Sequence, residues 1–151
     1  ANMDHLFMLG HSMGAEVTLY AAAALGDQLK GASIWSAYVP TVAKMSPQHP
    51  EVEAVSPFEQ SYSSNHSPIN SSINSPINSP INIHHAQDDA TTGFEEPVMI
   101  ASQLKQPGKT AKLYSYLGAD HLFTGDNLQL AITRDIVFFR RIMLNQDGFL
   151  E

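Results

Sequence analysis

The sequence predicts an α/β fold, a three-layer α/β/α domain around a parallel sheet. Short apolar runs alternate with helix-forming runs along the chain, the pattern that right-handed crossovers between parallel strands produce. A Gly-x-Ser-x-Gly turn, Gly10-His11-Ser12-Met13-Gly14, separates an apolar run from an alanine-rich one. Groups able to do chemistry fall just after the apolar runs, and an open parallel sheet collects such groups at the carboxyl ends of its strands.

Residues 4 to 9 read as a buried strand, apolar on both faces. Residues 13 to about 26 are rich in helix formers, and Gly26 is the expected stop because glycine accepts the left-handed C-cap conformation. Ala32-Ser33-Ile34-Trp35, after Gly31, is a second short strand. From Tyr38 to about Pro80 the pattern dissolves, with prolines at 40, 47, 50, 57, 68, 76 and 80. Proline at that density suits neither a long helix nor a central strand. An irregular, low-complexity insertion is therefore expected at about 38–80.

Within the insertion lies a four-residue repeat: Ser67-Pro68-Ile69-Asn70, Ser71-Ser72-Ile73-Asn74, Ser75-Pro76-Ile77-Asn78 and Ser79-Pro80-Ile81-Asn82. Its period is far below the roughly 20 residues of a solenoid unit, so it reads as extended, mobile chain. The last copy runs into Ile81-Asn82-Ile83-His84, the third strand. Phe94 to about Gln106 is a helix ended by Pro107-Gly108. Ala111 to Tyr116 alternates as the fourth strand, and Gly118-Ala119-Asp120-His121 is a loop. Asn127 to about Leu144 is a long amphipathic helix.

The 151 residues fit one domain, and a hydrophobic content of 43% suffices for a core. The net charge of −7, without a basic run, argues against nucleic acid or an anionic membrane as partner. No apolar stretch is long enough to span a bilayer. The absence of cysteine excludes disulfides, a thiol nucleophile and thiolate metal sites. No signal peptide is visible, so a cytoplasmic location is expected over a secreted one. The chain opens on Ala1 and almost directly on a strand, which suggests that an N-terminal part precedes it.

A strand, a glycine-flanked serine and a helix in succession form a sharp turn that thrusts the serine out above the sheet. Three expected strand ends then carry a serine, an acid and a base, in the order Ser12, Asp88 or Asp89, His121. Ser12 would attack a carbonyl carbon. His121 would take its proton and return it to the leaving group, and the aspartate would hold the imidazole tautomer. The backbone N–H of Met13 would donate to the oxyanion. His11 is read as shaping the turn. His84 and His85 lie beside two aspartates, but neighbours on a strand point to opposite faces and do not readily share one ion, so no metal is expected.

On these residues the chain resembles the α/β-hydrolase superfamily, with the nearest likeness to its prolyl-oligopeptidase-like and dienelactone-hydrolase-like branches. The acid loop of those branches commonly reads Ile-His-His-Gly-x-x-Asp-x-x-Val-Pro-x-Glu. Here the segment is Ile83-His84-His85-Ala86-Gln87-Asp88-Asp89-Ala90-Thr91-Thr92-Gly93-Phe94-Glu95. Aligned without gaps, Asp89 takes the acid position, and Asp88 is the alternative if one histidine is discounted. Ala86 departs from the usual glycine, and Thr92-Gly93 from Val-Pro. The histidine loop is similar to Tyr116-Leu117-Gly118-Ala119-Asp120-His121-Leu122-Phe123.

The resemblance implies a serine hydrolase that cleaves a small ester or a peptide through an acyl-enzyme, without a cofactor. It also implies that this sequence supplies the last four of eight strands. The second oxyanion donor would then lie outside it, and its first strand would be an apolar edge covered by an N-terminal half or by a second copy. The alternative is a non-catalytic interaction domain, or an inactive fragment of a larger hydrolase, that keeps the fold.

Overall fold

The structure is a computed structural model that describes residues 5–38, 77–104 and 111–146. Most of the insertion, the first repeats and the Pro107-Gly108 stop lie outside the described residues. The elements in chain order are β1 (Leu6–His11), α1 (Met13–Leu25), a 3₁₀ turn (Gly26–Gln28), β2 (Leu29–Trp35), β3 (Ile81–Ala86), α2 (Glu95–Leu104), β4 (Ala111–Tyr116) and α3 (Gly125–Gln146). The strands form one sheet in the order β1-β2-β3-β4, all parallel. This is the parallel α/β arrangement that the sequence predicts.

Both described crossovers step across the sheet in the same direction, so the right-handed rule puts α1 and α2 on one face and leaves the other to α3. The strand residues divide accordingly. Ala32, Ile34, Ile81 and Ile83 join Ala15, Leu19, Ala22 and Ala23 of α1 and Ile100, Ala101 and Leu104 of α2 in the main core. The α1 residues fall at the three-and-four spacing of a single helical stripe. Each fully buried leucine or isoleucine there contributes roughly 1.5–3 kcal/mol. The alternate strand residues face α3. Among them, Trp35, Ala86 and Tyr116 cluster with Ala119, Phe123 and Ala131.

β1 lies two residues later than the expected 4–9 and is half-buried rather than buried, because it has a strand neighbour on one side only among the described residues, and α3 extends two residues beyond 127–144 at each end. Two further segments differ from the sequence reading. β2 begins at Leu29, before Gly31, rather than after it. The glycine does not break the strand, because α3 closes onto it there. A Cβ on Gly31 would stand 2.8 Å from Ile142 Cδ1. The end of the repeat is also packed, contrary to the expectation of mobile chain. Ile77 and Ser79 are buried, Ser79 Oγ donates to Leu29 O (2.7 Å), and Ala32 N–H donates to Pro80 O (3.0 Å). Neighbouring β2 captures this copy as the lead-in to β3. Among the described residues β1 pairs only with β2, and Leu9 on it is 57% exposed.

Candidate active site

Ser12 joins β1 to α1 with φ 55° and ψ −119°. A side chain enters that region only where its surroundings enforce it. Here Ser12 N–H donates to Trp35 O (2.8 Å), which ties the carboxyl ends of β1 and β2 together. A serine before a helix ordinarily caps it with its hydroxyl, but Ser12 makes no such bond. Its Oγ lies 3.0 Å from His121 Nε2 instead. Met13 is the first residue of α1, so its N–H belongs to the turn that has no intrahelical acceptor.

The glycines of the turn are not equivalent. A Cβ on Gly10 would meet Gly14 O at 2.1 Å and Thr18 Oγ1 at 2.4 Å, so the crossing of strand and helix requires glycine there. A Cβ on Gly14 meets nothing within 4 Å among the described residues. The requirement for small residues on both sides of the serine thus holds sterically on one side.

His121 is half-buried, and both of its ring nitrogens are engaged. Nδ1–H donates to Asp89 Oδ2 (2.8 Å), because a carboxylate only accepts. That tautomer leaves Nε2 to accept the Ser12 hydroxyl proton. Asp89 is buried and held by its own turn. Its Oδ1 accepts from Thr91 N–H (2.8 Å) and Thr92 N–H (2.9 Å), and its Oδ2 also accepts from Thr92 Oγ1 (2.8 Å). Burial alone would push this carboxyl up. The donors of Thr92, His121 and Thr91 outweigh burial and hold Asp89 well below the usual carboxylate range.

Asp88, the alternative acid, points elsewhere. It is exposed, and its Oδ2 accepts from Gly118 N–H (3.1 Å), so it braces the loop after β4. The departures from the family pattern also have local roles. Ala86 is fully buried beside Tyr116 and Phe123, and the Thr92 hydroxyl supplies Asp89 with a donor that valine at that position would lack.

The remaining histidines separate by face. His11 donates from Nε2 to His121 O (2.7 Å), and the two rings lie 5.0 Å apart. His85 donates from Nε2 to Thr92 O (3.1 Å), while its Nδ1 is buried with no hydrogen-bond partner among the described residues. Burial pushes the His85 imidazole below its ordinary value. His84 lies on the opposite face and donates from Nε2 to Asp135 Oδ1 (2.9 Å) of α3. Adjacent in sequence, these two histidines thus serve different layers.

Three contributors went unseen in the sequence: Ser36, Thr92 and Asp135. Ser36 stands just past β2, the strand end the sequence reading left without a functional group. Its hydroxyl donates to His121 O (3.0 Å). The strand-end rule that selected Ser12 and His121 was sufficient to find it. Thr92 was visible only as a departure from the family pattern. No local signal marks Asp135, which reads as one more polar residue on a helix.

A hydroxyl, an imidazole and a carboxylate so joined can perform proton transfer. The imidazole accepts the hydroxyl proton as oxygen attacks an electrophile, and the carboxylate stabilises the resulting imidazolium. The family model of the prolyl oligopeptidase family matches residues 1–146. Comparison with curated protein sequences gives no match.

Among solved structures, SOBER1 of Arabidopsis thaliana is similar at a TM-score of 0.62 and 21% identity, covering 95% of this chain and 55% of that one. A Klebsiella pneumoniae protein provisionally described as a dienelactone hydrolase is similar at 0.64 and 18%, covering 91% and 52%. The esterase domain of a Rhodothermus marinus protein is similar at 0.62 and 17%, covering 89% and 59%. The fold is thus of α/β-hydrolase type, and the chain spans somewhat more than half the length of these structures.

Proposed function

We propose that this chain, which belongs to the prolyl oligopeptidase family, carries the reacting groups of a serine hydrolase that cleaves an ester or amide bond through an acyl-enzyme. The supporting observation is the unbroken run of hydrogen bonds from Asp89 through His121 to Ser12, assembled from three separate strand ends. In this reading Ser12 Oγ attacks the substrate carbonyl carbon and its proton passes to His121 Nε2. Asp89, ionised, balances the imidazolium. The oxyanion accepts a hydrogen bond from Met13 N–H, one of at least two donors such a site uses. His121 then protonates the leaving group, and a water activated by the same nitrogen releases the acyl group.

The charge around the site favours a neutral or cationic substrate over an anionic one. Among the described residues, Glu16, Asp88, Asp120 and Asp126 follow strand carboxyl ends, whereas Lys30 and Lys112 stand at the amino ends of β2 and β4. A neutral nitrophenyl ester should therefore react faster than its carboxylate-bearing analogue, with the gap narrowing as salt is added. Equal rates would remove this preference.

The decisive experiment is labelling of the chain by a fluorophosphonate probe. Modification should map to Ser12 and vanish in Ser12→Ala. Labelling that survives Ser12→Ala would remove Ser12 as nucleophile. A folded chain that takes no label would support the non-catalytic alternative.

A further inference from the structure

The carbonyl oxygen of His121 accepts two hydrogen bonds, from His11 Nε2–H at 2.7 Å and from Ser36 Oγ–H at 3.0 Å. Neither donor belongs to the loop that carries His121. His11 is the last residue of β1 and precedes Ser12, and Ser36 follows β2. The sheet order puts β2 and β3 between β1 and β4. Three strand spacings of about 4.8 Å make about 14 Å. The loop after β4 must therefore run back over the sheet edge to bring an imidazole to Ser12.

Asp89 fixes the tautomer and rotation of that ring, but a single bond to Nδ1 leaves its distance from Ser12 free. Anchoring the main chain at its carbonyl removes that freedom. Phe123 adds to the anchor, fully buried against Trp35 (5.3 Å) and Tyr116 (5.0 Å).

Ser36 carries a second mark of the same function. It is fully buried and holds φ 46°, a region that suits glycine and that other residues enter under constraint. In that conformation its N–H donates to His84 O (2.9 Å) while its hydroxyl reaches His121 O. The backbone is thus bent where the hydroxyl is used.

We propose that His11 and Ser36 form a clamp on the His121 main chain that sets the reach of the imidazole to Ser12. Both are positioning residues, and the clamp rests on the serine-hydrolase reading above for its purpose. Because His11 adjoins Ser12, and Ser12 N–H is tied to Trp35 beside Ser36, the ends of β1 and β2 hold nucleophile and base as one unit.

The test compares His11→Ala, Ser36→Gly and their double variant with His11→Gln in the full chain. Ser36→Gly deletes the hydroxyl and accepts the positive φ without strain. His11→Gln keeps an N–H donor near the Nε2 position. Two readouts are followed, the rate of fluorophosphonate labelling at Ser12 and the downfield proton signal of His121 Nδ1–H, identified by its loss in His121→Ala. Labelling should slow about tenfold in each single variant and about a hundredfold in the double, the scale of a misplaced catalytic group. The downfield signal should shift or broaden in parallel, and His11→Gln should restore most of both. In a His121→Ala background neither substitution should slow residual labelling further.

Unchanged labelling with an unmoved proton signal would overturn the clamp, as would a slowing that persists without His121. If the parent chain shows the proton signal but takes no label, the hydrolase reading fails while the proton signal still decides the clamp.

Discussion

Among the described residues, two histidine–aspartate pairs share a direct hydrogen bond and sit in opposite surroundings. His121–Asp89 stands at the carboxyl edge of the sheet, with both residues on loops. His84–Asp135 lies under α3, with one residue on β3 and the other on the helix. The carboxylates are both well satisfied. Asp135 accepts from Asn82 (3.1 Å) and His84 (2.9 Å) on Oδ1, and from Ser33 (2.6 Å) and Trp35 (2.9 Å) on Oδ2.

The difference lies in what occupies the other imidazole nitrogen. For His121 it is the hydroxyl of Ser12, at the end of a strained turn. For His84 it is the hydroxyl of Tyr116, whose ionisation burial opposes by pushing its pKa up. His84 is wholly buried, stacked on Tyr114, and no substrate atom can approach it. A hydrogen-bonded imidazole and carboxylate are therefore neutral as to role, and access together with the third partner decides it.

That contrast can be broken most sharply at the His121–Asp89 pair. Ser12→Ala or His121→Ala should lower hydrolysis of an activated ester by about 10⁴-fold or more, with the double variant no worse than either single, because such groups act as a unit. Thermal midpoints should stay within a few degrees of the parent, and additive losses would break the contrast. Asp89→Asn should follow, at about 10³- to 10⁴-fold, since an amide no longer selects the Nδ1–H tautomer.

The buried pair should respond in stability instead. Asp135→Asn would turn an amide donor towards groups that are themselves donors. Unfolding free energy should fall by about 3–5 kcal/mol, the scale of a broken buried pair, as read by urea denaturation. Loss of activity at unchanged stability would assign Asp135 to the site rather than to the core.

The smallest effect separates the groups by pH. Burial depresses His85, so below about pH 6.5 the unfolded chain binds a proton that the folded chain refuses, and stability declines towards acid. Asp89 and Asp135 are both depressed by their hydrogen bonds, which outweigh burial, so their contribution is complete above about pH 4 and is lost only as pH falls further. His85→Gln should flatten the stability profile between about pH 6.5 and 5 and leave the more acidic loss in place. A slope unchanged by His85→Gln would place the titration elsewhere.

Much of the parallel sheet was legible because its strands are short and carry apolar, mostly β-branched residues on the face that α1 and α2 cover, as at Ile34, Ile81 and Ile83. Gly31 misled the reading, because a glycine looks the same whether it breaks a strand or admits a helix. The last repeat misled it too. Ser79 and Pro80 have a loop composition, and only Leu29 and Ala32, some 50 residues away, supply the partners that hold them. At the site, Ser12 and His121 were found by position at strand ends. Asp89 was separated from Asp88 by register alone, whereas in space the two side chains diverge towards His121 and Gly118.

The amino-acid sequence by itself determined the layer order, the parallel sense of the strands and the strand ends that carry the candidate groups Ser12, Asp89 and His121, because periodicity and turn chemistry are local properties of a chain. Only the tertiary structure decided which histidine meets which aspartate, why Gly10 rather than Gly14 must be small, and that His11 and Ser36 hold the backbone of His121. The Gly10 crossing is set by Gly14 and Thr18 close by, and each of the others is a contact between residues far apart in sequence. Such contacts depend on where strands lie in the sheet, and no local pattern encodes that placement.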